Sequence, residues 1–245
     1  MTPSKLFYRR LTVNWKYNYS VWKTTIDWTI ALYLVLPTLI LGINQYIKWW
    51  KIPPQWLSLL PIDIILISCY FFAWTGSIRI FLEEADQIFL LNQKIWLKQI
   101  RKLSLAYSVF VYMLSNILFF ILLAPFLLQH YHFSLSRLGN LFFLTLLLRL
   151  FFGLIKQLLT VRYYGWIKFI LLRGSMVLGS LLFVNVISDI LNNSTASLIA
   201  MLFLIIASIV LIMIRINDVS SFLADVAANV KKKLSHCARK ILSHF

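Results

Sequence analysis

Acidic side chains are nearly missing from this sequence: 8 Asp and Glu stand against 24 Lys and Arg, for a formal net charge of +16 over 245 residues. Such a balance raises the question of nucleic acid. A nucleic-acid binder, however, gathers its cations on a soluble face, whereas here they fall between apolar runs. Cysteine is scarce too. Cys69, inside an apolar run, and Cys237, in the polar tail, offer neither a metal-ligand spacing nor a disulfide framework, and both read as structural. A phosphate-cradling loop of the G-x-x-x-x-G-K-[ST] kind is absent, so the chain cannot hydrolyse ATP alone. What is abundant is apolar: 60% of the residues are hydrophobic and the mean hydropathy is +0.80, well above the roughly 45–50% apolar content of soluble domains. The composition is that of a membrane protein without bound cofactor or metal.

A helical span needs about 20 largely apolar residues, and six segments meet that need: 26–47, 56–78, 104–128, 138–158, 169–190 and 197–216. The breaks "KWWKIPPQW", "QHYHFSLSR" and "NNSTAS" carry turn formers or interfacial aromatics. Cations then set direction. Residues 1–25, the 79–103 loop, the loop between spans four and five (Lys156, Arg162, Lys168, Arg173) and the tail hold all of them except Lys48, Lys51, Arg137 and the in-span Arg149. By the positive-inside rule both termini are cytoplasmic. The expected fold is therefore all-α: a polytopic, multi-pass protein of the plasma membrane with six transmembrane helices. Residues 1–25 form a cytoplasmic amphipathic helix, 26–216 the membrane domain and 217–245 a basic amphipathic tail. No cleavable signal is expected, because the first apolar run is too long for a signal core.

Within residues 1–25, Leu11, Trp15, Trp22 and Ile26 make one helical stripe, and Arg9, Lys16 and Lys23 run along its flank at a spacing of seven. That pattern predicts an interfacial helix whose rings lie at headgroup level and whose cations meet anionic lipid. In the tail, Phe222, Val226, Val230, Leu234, Cys237 and Ile241 recur at helical spacing opposite a "KKK" run.

The stretch "RIFLEEADQIFLLNQKIWLKQIRK", residues 79–102, is different. Glu83, Glu84 and Asp86, three of the few acids, sit beside the apolar "IFLL" of residues 88–91. Ile88, Leu91 and Ile95, then Trp96, Ile100 and Leu103, give it apolar faces, and Lys94, Lys98 and Arg101 a basic one; Asn92-Gln93 marks a bend between two short helices. The carboxylates could merely complement a helix N-terminus, worth about 0.3–1 kcal/mol each. A protein-docking surface explains both the acids and the apolar tetrad.

Three strings, "FYRRL", "VWKTTIDWTIALYLVLP" and "RIFLEEADQIFLL", resemble the EcsB family, the membrane subunits of bacterial ABC exporters of the ABC-2 type. The resemblance implies a permease that pairs with a separate cytoplasmic ATPase of the EcsA kind and exports peptide-like or hydrophobic substrates. It implies that the loop after span two carries a coupling helix, with Glu83, Glu84, Asp86, Phe89, Leu90 and Leu91 as docking residues, and that the N-terminal helix is the connecting helix. Relatives are commonly longer, with more spans after the sixth. Two ATPase sites usually call for about twelve spans, hence a homodimer or a second permease.

Arg149 is the candidate for the path. A cation at mid-bilayer depth costs about 2.5–3.5 kcal/mol on insertion scales, so it should face protein or water. Asp63 in span two is the acid at comparable depth; an Asp63–Arg149 pair and a substrate-contacting arginine are the two alternatives. His130 and His132 lack a third ligand and read as interfacial. Ser175 and Gly179 make a small-xxx-small pattern suited to close helix packing. Two rival functions are a non-transporting scaffold or regulator that recruits a soluble protein, and an intramembrane enzyme. The enzyme reading is disfavoured: the Glu-Glu-x-x-x-Arg pattern of CAAX-type membrane proteases meets Ile88 where arginine is needed, and no histidine lies within a span.

Overall fold

The computed structural model describes residues 2–25, 28–52, 54, 60–82, 94–162, 166–218 and 226. These are helical nearly throughout, with no strand among them. In chain order the helices are α1 (Pro3–Thr25), α2 (Trp28–Lys51, with a π-helical turn at Ala31–Val35), α3 (Ile62–Trp74), α4 (Lys94–Pro125, extended by a π turn through His130), α5 (Leu135–Arg162), α6 (Trp166–Asn192) and α7 (Ser194–Asn217). Each of the six predicted spans holds one of the helices α2 to α7. Four of these helices are long and apolar enough to cross a membrane, over Trp28–Lys51, Ile95–His130, Leu135–Thr160 and Thr195–Asn217. The second and fifth predicted spans contain shorter apolar helical stretches, Ile62–Trp74 and Ile170–Ser180. Of the basic tail, Asn217, Asp218 and Val226 lie within the described residues, and Val226 is buried.

The chain divides into two compact units, one of residues 1–48, 79–106 and 219–245 and one of residues 49–78 and 107–218. In the second unit α3 packs on α5 and α6, α5 on α6 and α7, and α6 on α7. Its core joins Ile65, Leu66 and Cys69 of α3 to Phe120 of α4 and Leu127 of its π-turn extension, Leu141 and Leu144 of α5 and Ile187 of α6. Dispersion and polar contacts hold such a bundle, because lipid is as apolar as leucine and the hydrophobic drive between spans is lost. Phe72 stacks on Phe119 with ring centroids 4.0 Å apart. Asn116, fully buried, donates to the Phe142 carbonyl at 3.1 Å, and Thr145 shares that carbonyl at 2.9 Å. Asn140 bonds Ser197 between α5 and α7 at 3.1 Å. Between the candidate spans, the Tyr131 hydroxyl donates to the Leu60 carbonyl at 2.7 Å, and burial pushes its pKa up.

The Ser175–Gly179 pattern has a specific occupant. The Tyr70 hydroxyl donates to the Ser175 carbonyl at 3.1 Å, and a Cβ on Gly179 would collide with that same hydroxyl. The small residue admits an aromatic ring, which also packs on Phe152 and Phe183.

Candidate functional site

In the first unit, α1 turns one stripe inward. Phe7 is buried, and Arg10, Leu11, Asn14 and Tyr17 continue its line at helical spacing, half-buried. The neighbouring stripe of Tyr8, Trp15, Tyr19 and Trp22 is exposed, flanked by exposed Arg9, Lys16 and Lys23 on the side away from Phe7. The expected stripe is thus divided: Trp15 and Trp22 stand outward with the cations, while Leu11 turns toward the inward face. The exposed rings and cations have the composition that suits a membrane interface.

The inward stripe meets the base of the 79–103 loop. Residues 79–82 run without regular structure, with Ile80 and Leu82 buried. The Phe7 ring packs edge-on against Phe81 with centroids 5.6 Å apart, and the Arg10 guanidinium donates to the Phe81 carbonyl at 3.0 Å. Phe81 N–H in turn donates to Ser104 Oγ of α4 at 3.5 Å. Two of the three strings that carry the family resemblance, "FYRRL" and "RIFLEEADQIFLL", are therefore in contact. Glu83, Glu84, Asp86, Phe89, Leu90 and Leu91 lie outside the described residues, as does the bend at Asn92-Gln93. Beyond them the predicted second short helix is instead the first turns of α4, continuous with the third span. Its buried face is Leu97, Ile100, Arg101, Ser104 and Leu105, at i, i+3, i+4, i+7 and i+8. Arg101 belongs to that buried face rather than to a basic outer one, and Ile95 is exposed.

The second unit holds the intramembrane cations. Arg149 of α5 is half-buried. Its guanidinium donates to Ser115 Oγ of α4 at 2.5 Å and lies over two rings, 4.3 Å from the Phe72 centroid and 5.0 Å from that of Tyr112. Its Nε is buried without a hydrogen-bond partner among the described residues. The Asp63–Arg149 pair does not form. Asp63 is exposed in the first turn of α3, where its charge complements the helix N-terminus. Arg149 lies at the other end: a Cβ on Gly76, just past α3, would sit 2.5 Å from the Arg149 carbonyl. At 1.5 Å per residue, roughly 17 Å of helix separates the two.

Lys156, counted with the loop by charge, lies inside α5 and within the candidate span Leu135–Thr160. Its ammonium donates to the Trp74 carbonyl and sits 4.2 Å from the Trp74 ring centroid. Two cations seven residues apart, hence on one face of α5, thus both reach the C-terminal end of α3. Neither makes an ion pair among the described residues, and no group of three or more His, Cys, Asp or Glu there could hold a metal. The row was visible as a spacing of seven, the same interval that marks Arg9, Lys16 and Lys23 on α1. Treating Lys156 as loop hid it. Phe7, Arg10 and Phe81 were equally unmarked, since hydropathy assigns them no partner.

Apolar helices of spanning length, polar contacts between them and cations held inside the bundle define a multi-span helical membrane protein. The chain matches the family model described as "Bacterial ABC transporter protein EcsB" over residues 4–238, and it belongs to that family. It is also similar to the protein described as "Putative transporter YthQ" of Bacillus subtilis (strain 168), 36% identical over 133 residues. That match covers 53% of this chain and 34% of the relative, so it extends over about a third of the relative's length. No solved structure matches the chain.

Proposed function

We propose that this chain is the permease subunit of an ABC transporter: six spans with both termini cytoplasmic, contributing to a translocation path and driven by a separate cytoplasmic ATPase. Glu83, Glu84, Asp86, Phe89, Leu90 and Leu91 dock that ATPase, and the exposed aromatic and basic face of α1 lies at the inner membrane interface against anionic headgroups. Nucleotide-driven closure of the partner displaces the docked segment, and helices continuous with it carry the displacement into the bundle, a two-state shift biased by a ligand on another chain. The chain itself performs no covalent chemistry. The path is completed by a second copy or a second permease, and the cargo is a peptide-like or hydrophobic molecule leaving the cell.

The observation that carries this reading is the clasp of Phe7 and Arg10 on Phe81. It ties the N-terminal helix to the residues that lead directly into the acidic segment, so a push on that segment meets α1 and α4 and not a free loop. The test is co-purification with the ATPase, followed by its turnover in nanodiscs. Wild type is expected to retain the ATPase and alter its rate; E83Q/E84Q/D86N is expected to lose it. An ATPase that binds but turns over at the same rate with and without this chain would favour a scaffold. Attachment unaffected by the triple variant would overturn the docking assignment.

A further inference from the structure

Arg149 and Lys156 bring two positive charges to one face of α5, within the candidate span and about 10 Å apart along the helix axis. Their surroundings are three aromatic rings, one hydroxyl, one backbone carbonyl and the C-terminal end of α3. A helix C-terminus carries the equivalent of about half a negative charge, which among the described residues leaves most of the charge of the two cations uncompensated. Intramembrane cations ordinarily pair with acids or mark a pathway, and the acid expected here, Asp63, stands at the far end of α3. Among the described residues the Nε of Arg149 remains a buried donor without an acceptor, and an arginine fork matches the two oxygens of a carboxylate or phosphate. Both residues are only half-buried, so the face is open to an incoming group. The aromatic rings Phe72, Tyr112 and Trp74 provide the apolar flank that an acyl or other hydrophobic chain would take up.

We propose that this face binds the anionic head, carboxylate or phosphate, of an amphiphile whose apolar part stays in the membrane. Arg149 supplies the fork, Lys156 a second point charge, and Ser115 holds the guanidinium in place. Taking the amphiphile as cargo rests on the permease reading; the binding site does not, and it is measured without ATP or transport.

The experiment uses the full chain in phosphatidylcholine nanodiscs, titrated with a pyrene-labelled fatty acid, its methyl ester and a pyrene-labelled monoalkyl phosphate. Wild type is expected to bind the acid and the phosphate at least about tenfold tighter than the uncharged ester. R149Q and K156Q should each cut that preference, R149Q/K156Q should abolish it, and R149K, which keeps the charge but not the fork, should fall between wild type and R149Q. The exposed row is the control for the overall positive charge: R9Q/K16Q/K23Q should leave the preference intact. A preference retained by R149Q/K156Q, missing from wild type, or lost equally in the triple variant would overturn the site. If R149Q does not fold, K156Q decides alone. The source of the anion is read by repeating the titration in phosphatidylglycerol nanodiscs. A resident lipid headgroup would compete and weaken acid binding about tenfold, whereas a site selective for single-chain cargo would hold its affinity. Loss of ATPase attachment with this preference intact would sink the transporter reading and spare the site.

Discussion

Arg9, Lys16 and Lys23 on α1 and Arg149 and Lys156 on α5 are the same pattern in sequence, cations repeated every seven residues along a helix. Their physics differ. On α1 each of these three cations is exposed and its neighbours on the surface are Trp15, Tyr19 and Trp22. On α5 each cation is half-buried and committed to named partners on α3 and α4. A cation that keeps its water costs nothing to hold and is useful through long-range attraction to anionic lipid. A cation inside a span costs free energy to place, and its retention asks for a counter-charge. Spacing alone does not separate the two cases; the residue types between the cations do. Between Arg149 and Lys156 stands "LFFGLI", all apolar, whereas between Arg9 and Lys23 polar Thr12, Asn14, Asn18 and Ser20 alternate with rings.

The comparison is tested most forcefully on the inward side of α1, because the exposed row can work at an interface only if the helix is held. Phe7→Ala removes the buried ring that packs on Phe81, and truncating a buried phenylalanine costs roughly 3–5 kcal/mol. Hydrogen exchange is expected to rise along α1 while α5 and α7 stay protected. Equal loss of protection in all three would mean that α1 has no attachment of its own. On the other row, Gly76→Val forces a side chain into the backbone of α5 at Arg149, where a Cβ finds the carbonyl at 2.5 Å. Overpacking of this kind costs roughly 1–3 kcal/mol. Lowered thermal stability together with a weakened anion preference is expected. An unchanged preference would show that the position of Arg149 does not depend on this close approach.

How much of this was legible follows from what hydropathy can see. The six apolar segments each contain a helix, because a run of apolar residues in lipid must close its own backbone hydrogen bonds. α1 was legible from the seven-residue interval of its cations. Its rotation was not, since Leu11, Trp15 and Trp22 are all compatible with one stripe until Phe81 claims Phe7. Arg101 shares a basic face with Lys94 and Lys98 by sequence; it is buried because it falls on the i, i+3, i+4 face of Leu97, Ile100, Ser104 and Leu105. Of the two alternatives for Arg149, the pair with Asp63 rested on depth estimated from span ends, and that estimate failed because α3 begins only at Ile62 and puts Asp63 at its very start. Family membership was legible in three short strings. Contact between two of them was not, since no pattern in either string names the other.

A smaller effect is expected on the exposed row. Neutralising Arg9, Lys16 and Lys23 should weaken the hold of α1 on an anionic bilayer by about 1 kcal/mol for each cation removed. A spin label at position 19 should report a shallower depth in the triple variant, and wild type should show the same shift on raising salt, because screening acts over about 8–10 Å at physiological ionic strength. Depth insensitive to both would mean that the rings, and not the charges, hold the helix.

The smallest effect on stability is expected where the charge is most costly to place. Lys156→Met removes a hydrogen bond from a charged donor, worth about 1.5–3 kcal/mol, and a cation–π contact worth about 0.5–2 kcal/mol. It also removes an insertion cost of about 2.5–3.5 kcal/mol, so the opposing contributions nearly cancel and the net change should stay within about 1 kcal/mol. Thermal unfolding of K156M in nanodiscs is therefore expected to resemble wild type while the anion preference falls. That dissociation is what separates a cation kept for a ligand from one kept for the fold. A Lys156 that served only to close the end of α3 would behave the other way, its loss lowering stability and leaving the preference for the charged amphiphile untouched.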